Sequence, residues 1–243
     1  MTTISHPLPV APTSTHRTTA RVVGWLFLLT YLTAIAAKVS FYPPLFDNPE
    51  YIVTGDADAR VLWGAFSEVL LVIANIGTAV AFFPLLKRQH EGLALGFVAA
   101  RVVECVFIIV GILSVLTIVT LRQDLPADTA GLATVGHALA TLHDWTFNLG
   151  PGFTVGIGNG LILGYLMYRS GLIPRRLAML GLLGGVGICL SGAAVVFGLT
   201  DNGSPLQLAA AIPEFFWELS LGIYLITKGF KPSRLTTDLA DAR

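Results

Sequence analysis

The sequence predicts an all-α integral membrane protein built as a bundle of six transmembrane helices. The mean hydropathy is +0.73, and 54% of the 243 residues are hydrophobic while only 12% are charged. A transmembrane helix needs about 20 mostly apolar residues, and six stretches of the chain meet that requirement. These stretches are continuously apolar, whereas the strands of a membrane barrel alternate between apolar and polar residues. Helices are therefore the way in which this backbone satisfies its hydrogen bonds in lipid.

The segments that flank the first apolar stretch set the limits of the membrane domain. Residues 1–20 are rich in Thr, Ser and Pro, which predicts a disordered cytoplasmic tail. The first stretch begins with a basic residue and contains Ala34-Ile35-Ala36, as a cleavable signal peptide does. Its apolar run continues beyond Ala36, which favours a helix that stays in the mature protein. We expect the membrane domain over residues 21–229 and a second cytoplasmic tail over residues 230–243.

The later stretches differ in length and in their helix-breaking residues. The third and fourth exceed the minimum for one crossing, which permits a tilt or a break. The fourth contains Pro151 between two glycines, and proline removes a backbone donor and kinks a helix. The sequence therefore predicts an irregular fourth helix. The six predicted spans cover residues 22–42, 62–86, 93–121, 138–168, 176–199 and 206–227.

The distribution of basic residues predicts the orientation of the bundle. Cytoplasmic loops carry an excess of Lys and Arg, and one set of flanks holds eleven such residues against two on the other. This asymmetry places both termini in the cytoplasm, which an even number of spans allows. The eleven are Arg17, Arg21, Lys87, Arg88, Arg169, Arg175, Arg176, Lys228, Lys231, Arg234 and Arg243; the two are Arg60 and Arg122.

Eight ionisable side chains interrupt the apolar stretches, and they are the strongest pointer to function. A charge at the bilayer centre costs at least about 2.5–3.5 kcal/mol, so such residues usually face a bundle interior or a cavity. Glu214 and Glu218 are four residues apart and Arg101 and Glu104 are three apart, so each pair shares one helix face. The eight are Lys38, Glu68, Arg101, Glu104, His143, Asp144, Glu214 and Glu218.

These side chains predict an acidic pocket that opens outward. A rise of about 1.5 Å per residue places Arg101 and Glu104 deepest and the other six between the outer surface and the midplane. Full ionisation would leave an excess of about two or three negative charges, so some acids must be protonated, hydrated or bound to a cation. The predicted ligand-binding residues are Glu68, His143, Asp144, Glu214 and Glu218, and the predicted counter-ions are Lys38, Arg101 and Glu104.

Three functions stay open at this point. The first is binding or transport of a small cation or protons in that pocket. The second is a membrane-embedded hydrolase, with or without a metal, that uses His143 and Asp144 with a glutamate. The third is a structural or partner-binding subunit whose buried charges only fix packing. We expect no cofactor, no metal and no nucleic-acid partner, and an enzyme is the less favoured class; a homo-oligomer stays open.

Four segments resemble one family of membrane proteins. They are the opening run from Ala20 to Tyr31, Leu142-His143-Asp144-Trp145, the hairpin from Gly164 to Pro174, and the closing helix from Glu218 to Gly229. In these segments the chain resembles the DUF4386 family of bacterial integral membrane proteins, whose members have no assigned function. The resemblance covers roughly Arg21 to Gly229, and it implies a multi-pass protein of the bacterial plasma membrane. It implies no reaction.

Overall fold

The computed structural model describes residues 14–237, and no β-strand occurs within that range. Six of its helices are long and apolar enough to cross a membrane, which confirms the predicted class. In chain order we name them the first to sixth spans. They are Ser14–Ile35, which continues to Phe41, then Asp58–Leu86, Glu91–Asp124, Leu132–Phe147, which continues to Ser170, Arg175–Val196 and Pro205–Thr227. Short helices at Pro43–Phe46, Tyr51–Thr54 and Arg234–Thr237 complete the fold.

Both predicted tails are partly folded. The first helix begins at Ser14, so residues 14–20 are helical rather than disordered, and Ala20 is fully buried. Packing of a face that buries His16 and Ala20 extends the helix beyond the point that composition suggested. After the sixth span, Phe230 is 3% exposed and the Lys231 amide donates to the Leu172 carbonyl at 2.8 Å. The remaining parts of the predicted tails, residues 1–13 and 238–243, lie outside the described residues.

Two apolar cores occupy opposite ends of the bundle. One contains Phe27 of the first span, Phe82 of the second and Trp217 of the sixth. The other contains Tyr51 of the loop before the second span and Ile108 of the third. The first three spans contribute to both cores, and most of the buried residues between their two contributions are polar: Thr30, Thr33, Asn75, Thr78, Arg101 and Glu104. A polar layer therefore lies between two apolar ones, near the middle of the bundle.

The fourth span widens around its proline instead of breaking. The segments Asn148–Thr154 and Gly156–Leu163 form π-helical turns, and the helix continues through both. A wider turn accommodates Pro151, which has no N–H to donate. Gly156 and Gly160 let this region contact the backbone of the fifth span at Gly185. The predicted irregularity is confirmed, and its form is a π-helical bulge.

Candidate functional site: a central polar cavity

A cavity of about 250 Å³ lies inside the bundle, and residues from all six spans line it. Its position matches the polar layer between the two apolar cores. The cavity is close to the lower limit of about 300 Å³ for small-molecule pockets, which indicates a small ligand. The polar residues that line it are Thr30, Tyr31, Asn75, Arg101, Glu104, Glu214 and Glu218.

Arg101 and Glu104 form one wall of the cavity with Asn75 of the second span, and Thr78 contacts Arg101 without lining the cavity. The Arg101 guanidinium donates to Glu104 Oε2 at 2.8 Å, to Asn75 Oδ1 at 2.7 Å and to Thr78 Oγ1 at 3.2 Å. The Asn75 amide donates to Glu104 Oε1 at 2.9 Å, which closes the network. All four residues are at most 3% exposed. The pairing expected from the spacing of Arg101 and Glu104 is present, and both carboxylate oxygens have partners.

Glu214 faces the same cavity without such partners. The residue is 3% exposed, and neither carboxylate oxygen has a hydrogen-bond partner among the described residues. Two glycines make room for it, since a Cβ atom on Gly184 would lie 2.6 Å from Glu214 Oε2 and one on Gly160 would lie 2.8 Å from it. Close packing of the helices therefore places a carboxylate without hydrogen-bond partners in the interior of the bundle.

Glu218 lies one turn after Glu214 and also lines the cavity, as their spacing predicted. Its Oε1 accepts a hydrogen bond from the Asn159 side chain of the fourth span. The Trp217 indole donates to the Asn159 backbone carbonyl at 3.0 Å, which holds that part of the fourth span in place. The Tyr31 hydroxyl interacts with Glu218 and donates to the Phe215 carbonyl at 2.8 Å.

Glu68 and His143 form a separate buried cluster with Tyr42, away from the cavity lining. The Tyr42 hydroxyl donates to Glu68 Oε2 at 2.7 Å, and His143 Nε2 lies 3.2 Å from Glu68 Oε1. Burial and the adjacent carboxylate hold the pKa of Tyr42 above its usual value, so its phenol stays a donor. The rings of Tyr42, Phe46 and Phe147 surround the imidazole. The sequence predicted Glu68 and His143 in one pocket with Glu214 and Glu218. In the structure Glu68 and His143 contact each other, and neither lines the cavity that contains Glu214 and Glu218.

Lys38 and Asp144 are exposed, and neither lines the central cavity. Neighbouring residues of a helix point about 100° apart, so His143 faces inward while Asp144 faces outward. Asp144 instead lines a smaller pocket of about 110 Å³ that also contains His137. Lys38 is therefore not buried, and Asp144 does not share the cavity of Glu214 and Glu218; Lys38 is instead close enough to act electrostatically on Asp144.

The positions of the His, Cys, Asp and Glu side chains determine whether the protein can hold a metal ion. Within residues 14–237, no group of three or more His, Cys, Asp and Glu side chains is placed to hold a metal ion. Cys105 and Cys189 are both free thiols. Among the polar residues that line the cavity, the sequence did not point to Thr30 and Tyr31. Asn159, an isolated polar residue in a glycine-rich apolar stretch, bonds Glu218 without lining the cavity.

Six apolar helices around a buried polar cavity define a multi-pass membrane protein of the helix-bundle class. The chain belongs to the family described as a domain of unknown function, DUF4386, whose model matches residues 22–229. The match covers most of the chain and confirms the resemblance seen in its motifs. No curated protein and no solved structure matches the chain.

Proposed function

We propose that this protein binds a small cation or protons in its central cavity at Glu214 and Glu218, and acts as a transporter or a sensor. The observation that carries the proposal is the bare carboxylate of Glu214, which is 3% exposed and without hydrogen-bond partners among the described residues. An unpartnered polar group in a protein interior is costly. A ligand that supplies positive charge removes that cost.

The charges around the cavity support a cation. Three carboxylates line it, and Arg101 is the one Lys or Arg side chain in the lining. Glu104 neutralises Arg101 at 2.8 Å, which leaves the charges of Glu214 and Glu218 without a matching cation in the lining. Intramembrane carboxylates of this kind mark ion and proton pathways in other proteins.

The other two functions have less support at this site. His143 contacts Glu68 while Asp144 is exposed, so the two residues proposed for a hydrolase do not share one pocket. A purely structural role suits Glu68 and Glu104, since both oxygens of each have a partner. Glu214 has no such partner. Residence in a bacterial plasma membrane with cytoplasmic termini remains part of the proposal, based on the family resemblance and the basic flanks.

The test replaces both Glu214 and Glu218 by Gln in the full-length protein held in lipid nanodiscs. Potentiometric titration counts protons over the pH range in which the protein stays folded, and calorimetry measures binding of tetramethylammonium. We expect the double variant to bind fewer protons and to lose saturable cation binding. Asp144→Asn is the matched control, because it removes an exposed carboxylate outside the cavity. It should lose only its own titrating proton and keep the saturable cation binding of the wild type. Identical proton counts and cation binding in wild type and the double variant would overturn the proposal.

A further inference from the structure

We propose that the ligand is an amphipathic monovalent cation, with an ammonium head at Glu214 and Glu218 and an apolar body at the other end of the cavity. This rests on the proposed function and adds the chemical class of the ligand. Three observations carry it: the division of the lining into a polar and an apolar end, the exposure of the apolar end, and the small number of oxygen ligands.

The cavity lining changes from polar to apolar along the bundle axis. In the first span, Thr30 and Tyr31 precede Ala34 and Ile35 in the lining. In the second span, which runs in the opposite direction, Leu71 comes before Asn75. Consecutive spans are antiparallel, so the polar residues of both helices lie at one level and the apolar ones at the other.

The sixth span repeats this order. Ala211 lines the cavity before Glu214 and Glu218, and this span is also antiparallel to the first. Its polar residues therefore lie at the level of Thr30 and Tyr31. One end of the cavity presents carboxylates and the other presents alkyl and aromatic groups.

The apolar end reaches the outside of the bundle between the first and sixth spans. Ile35 at this end is 48% exposed, and Phe215, which follows Glu214 in the sixth span, is 41% exposed; both line the cavity. The opening therefore extends from the apolar end to the level of the carboxylates. Tyr31 packs edge to face on Phe215, with ring centroids 5.0 Å apart, beside this opening. The surrounding surface is one that lipid covers in a spanning bundle. A ligand with an apolar chain can therefore extend from the carboxylates toward the bilayer.

The head of the ligand is a monovalent ammonium rather than a divalent metal. Calcium takes six to eight oxygen ligands, whereas the polar end offers two carboxylates that lack a matching cation, and no metal cluster occurs among residues 14–237. An ammonium ion offsets one of the two charges, and a proton bound to either Glu214 or Glu218 offsets the other. The ring of Tyr31 adds an aromatic surface for a cation.

The experiment compares tetramethylammonium with hexyltrimethylammonium on the full-length protein in nanodiscs. Both carry the same permanent charge, so protonation of the ligand does not enter the comparison. A buried methylene contributes about fourfold in affinity, and partial burial of the chain should give hexyltrimethylammonium at least about tenfold tighter saturable binding. Replacing Glu214 and Glu218 by Gln should remove the binding of both, and subtracting that signal corrects for partition into lipid.

A second variant tests where the chain lies. Ala34→Phe fills the apolar end of the cavity, so it should reduce the preference for the hexyl chain at least about fivefold while tetramethylammonium still binds. The matched control is Leu32→Phe, since Leu32 is 67% exposed on the same helix and does not line the cavity. Retained tetramethylammonium binding shows that the Ala34 variant is folded.

The outcomes separate this inference from the proposed function. If tetramethylammonium binds through Glu214 and Glu218 but the hexyl chain adds nothing, the amphipathic class is wrong and the cation site stands. The amphipathic class is also wrong if sodium displaces both probes at equal concentration, or if Ala34→Phe leaves the preference for the hexyl chain unchanged. If neither probe binds and the proton count does not depend on the two glutamates, the proposed function itself fails.

Discussion

Replacing Arg101 by Met is expected to destabilise the protein severely. The change removes three hydrogen bonds and leaves Glu104 Oε2 and Asn75 Oδ1 without partners in a region at most 3% exposed. Breaking a buried ion pair from one side costs about 3–5 kcal/mol, and an orphaned buried acceptor costs about 1–3 kcal/mol. The expected loss is therefore about 4–8 kcal/mol, which is comparable with the whole stability of an ordinary domain.

Removing the network as a unit should be far less harmful. In the triple variant Asn75→Leu, Arg101→Met, Glu104→Leu, apolar side chains replace every group that depended on the others. Thr78 keeps its bond to the backbone carbonyl of residue 75 at 2.7 Å. Buried ion pairs can often be exchanged for apolar residues at little or no cost. We expect the triple variant to lie within about 2 kcal/mol of wild type.

The assay is equilibrium unfolding in mixed micelles with increasing SDS, followed by tryptophan fluorescence and circular dichroism. Lys38→Met is the control for loss of a positive charge, because Lys38 is exposed, and it should change stability by less than about 0.5 kcal/mol. Unfolding of Arg101→Met at the same SDS concentration as Lys38→Met would refute the expected cost of breaking the network. A triple variant as unstable as Arg101→Met alone would refute it equally.

Two further predictions use the same unfolding assay. Tyr42→Phe removes the hydroxyl that donates at 2.7 Å to the fully buried carboxylate of Glu68, and it should cost about 1–3 kcal/mol of stability. The control Tyr165→Phe, at an exposed position, should cost less than about 0.5 kcal/mol. Equal losses of stability in the two variants would contradict the buried cluster. Gly184→Ala would place a Cβ atom 2.6 Å from Glu214 Cα and should cost about 1–3 kcal/mol or more. In the control Gly96→Ala, the new Cβ atom would lie 3.5 Å from its nearest neighbour, so the change should be neutral or stabilising by up to about 1 kcal/mol. A Gly184 variant as stable as the Gly96 variant would argue against the close contact between the fifth and sixth spans.

Hydrophobicity and length were sufficient to predict the six helices, because each apolar run is longer than the bilayer is thick. Relative depth was predictable only within each helix, since helix rise is constant; Arg101 and Glu104, expected to lie deepest, line the same cavity as Glu214 and Glu218. The direction in which each side chain faces was not predictable from the sequence. Glu68 and Glu214 were expected at similar depths, yet one contacts Tyr42 and the other faces the central cavity. That difference depends on the rotation of each helix about its axis, which packing against neighbours decides.

Loop contacts and local helix geometry also could not be predicted from the sequence pattern. The sequence predicted Tyr42 as the last residue of the first span, but Tyr42 follows that span, enters the bundle and bonds Glu68. Pro151 indicated an irregular helix, but whether a helix kinks, breaks or widens depends on which backbone groups find partners. The glycines at positions 156 and 160 permit the close contact with Gly185 that accompanies the widened turns.

Glu104 and Glu214 differ in their hydrogen-bond partners, and this difference distinguishes a structural carboxylate from a ligand-binding one. A glutamate retained for packing gains stability only through its partners, and both oxygens of Glu104 have them. Glu214 has none among the described residues, so we expect it to lower stability when no cation is bound. A residue that lowers stability is typical of a site kept for activity. The Gln variants of Glu214 and Glu218 that abolish binding should therefore be at least as stable as wild type in the absence of ligand, because a neutral amide is less costly to bury than a charge.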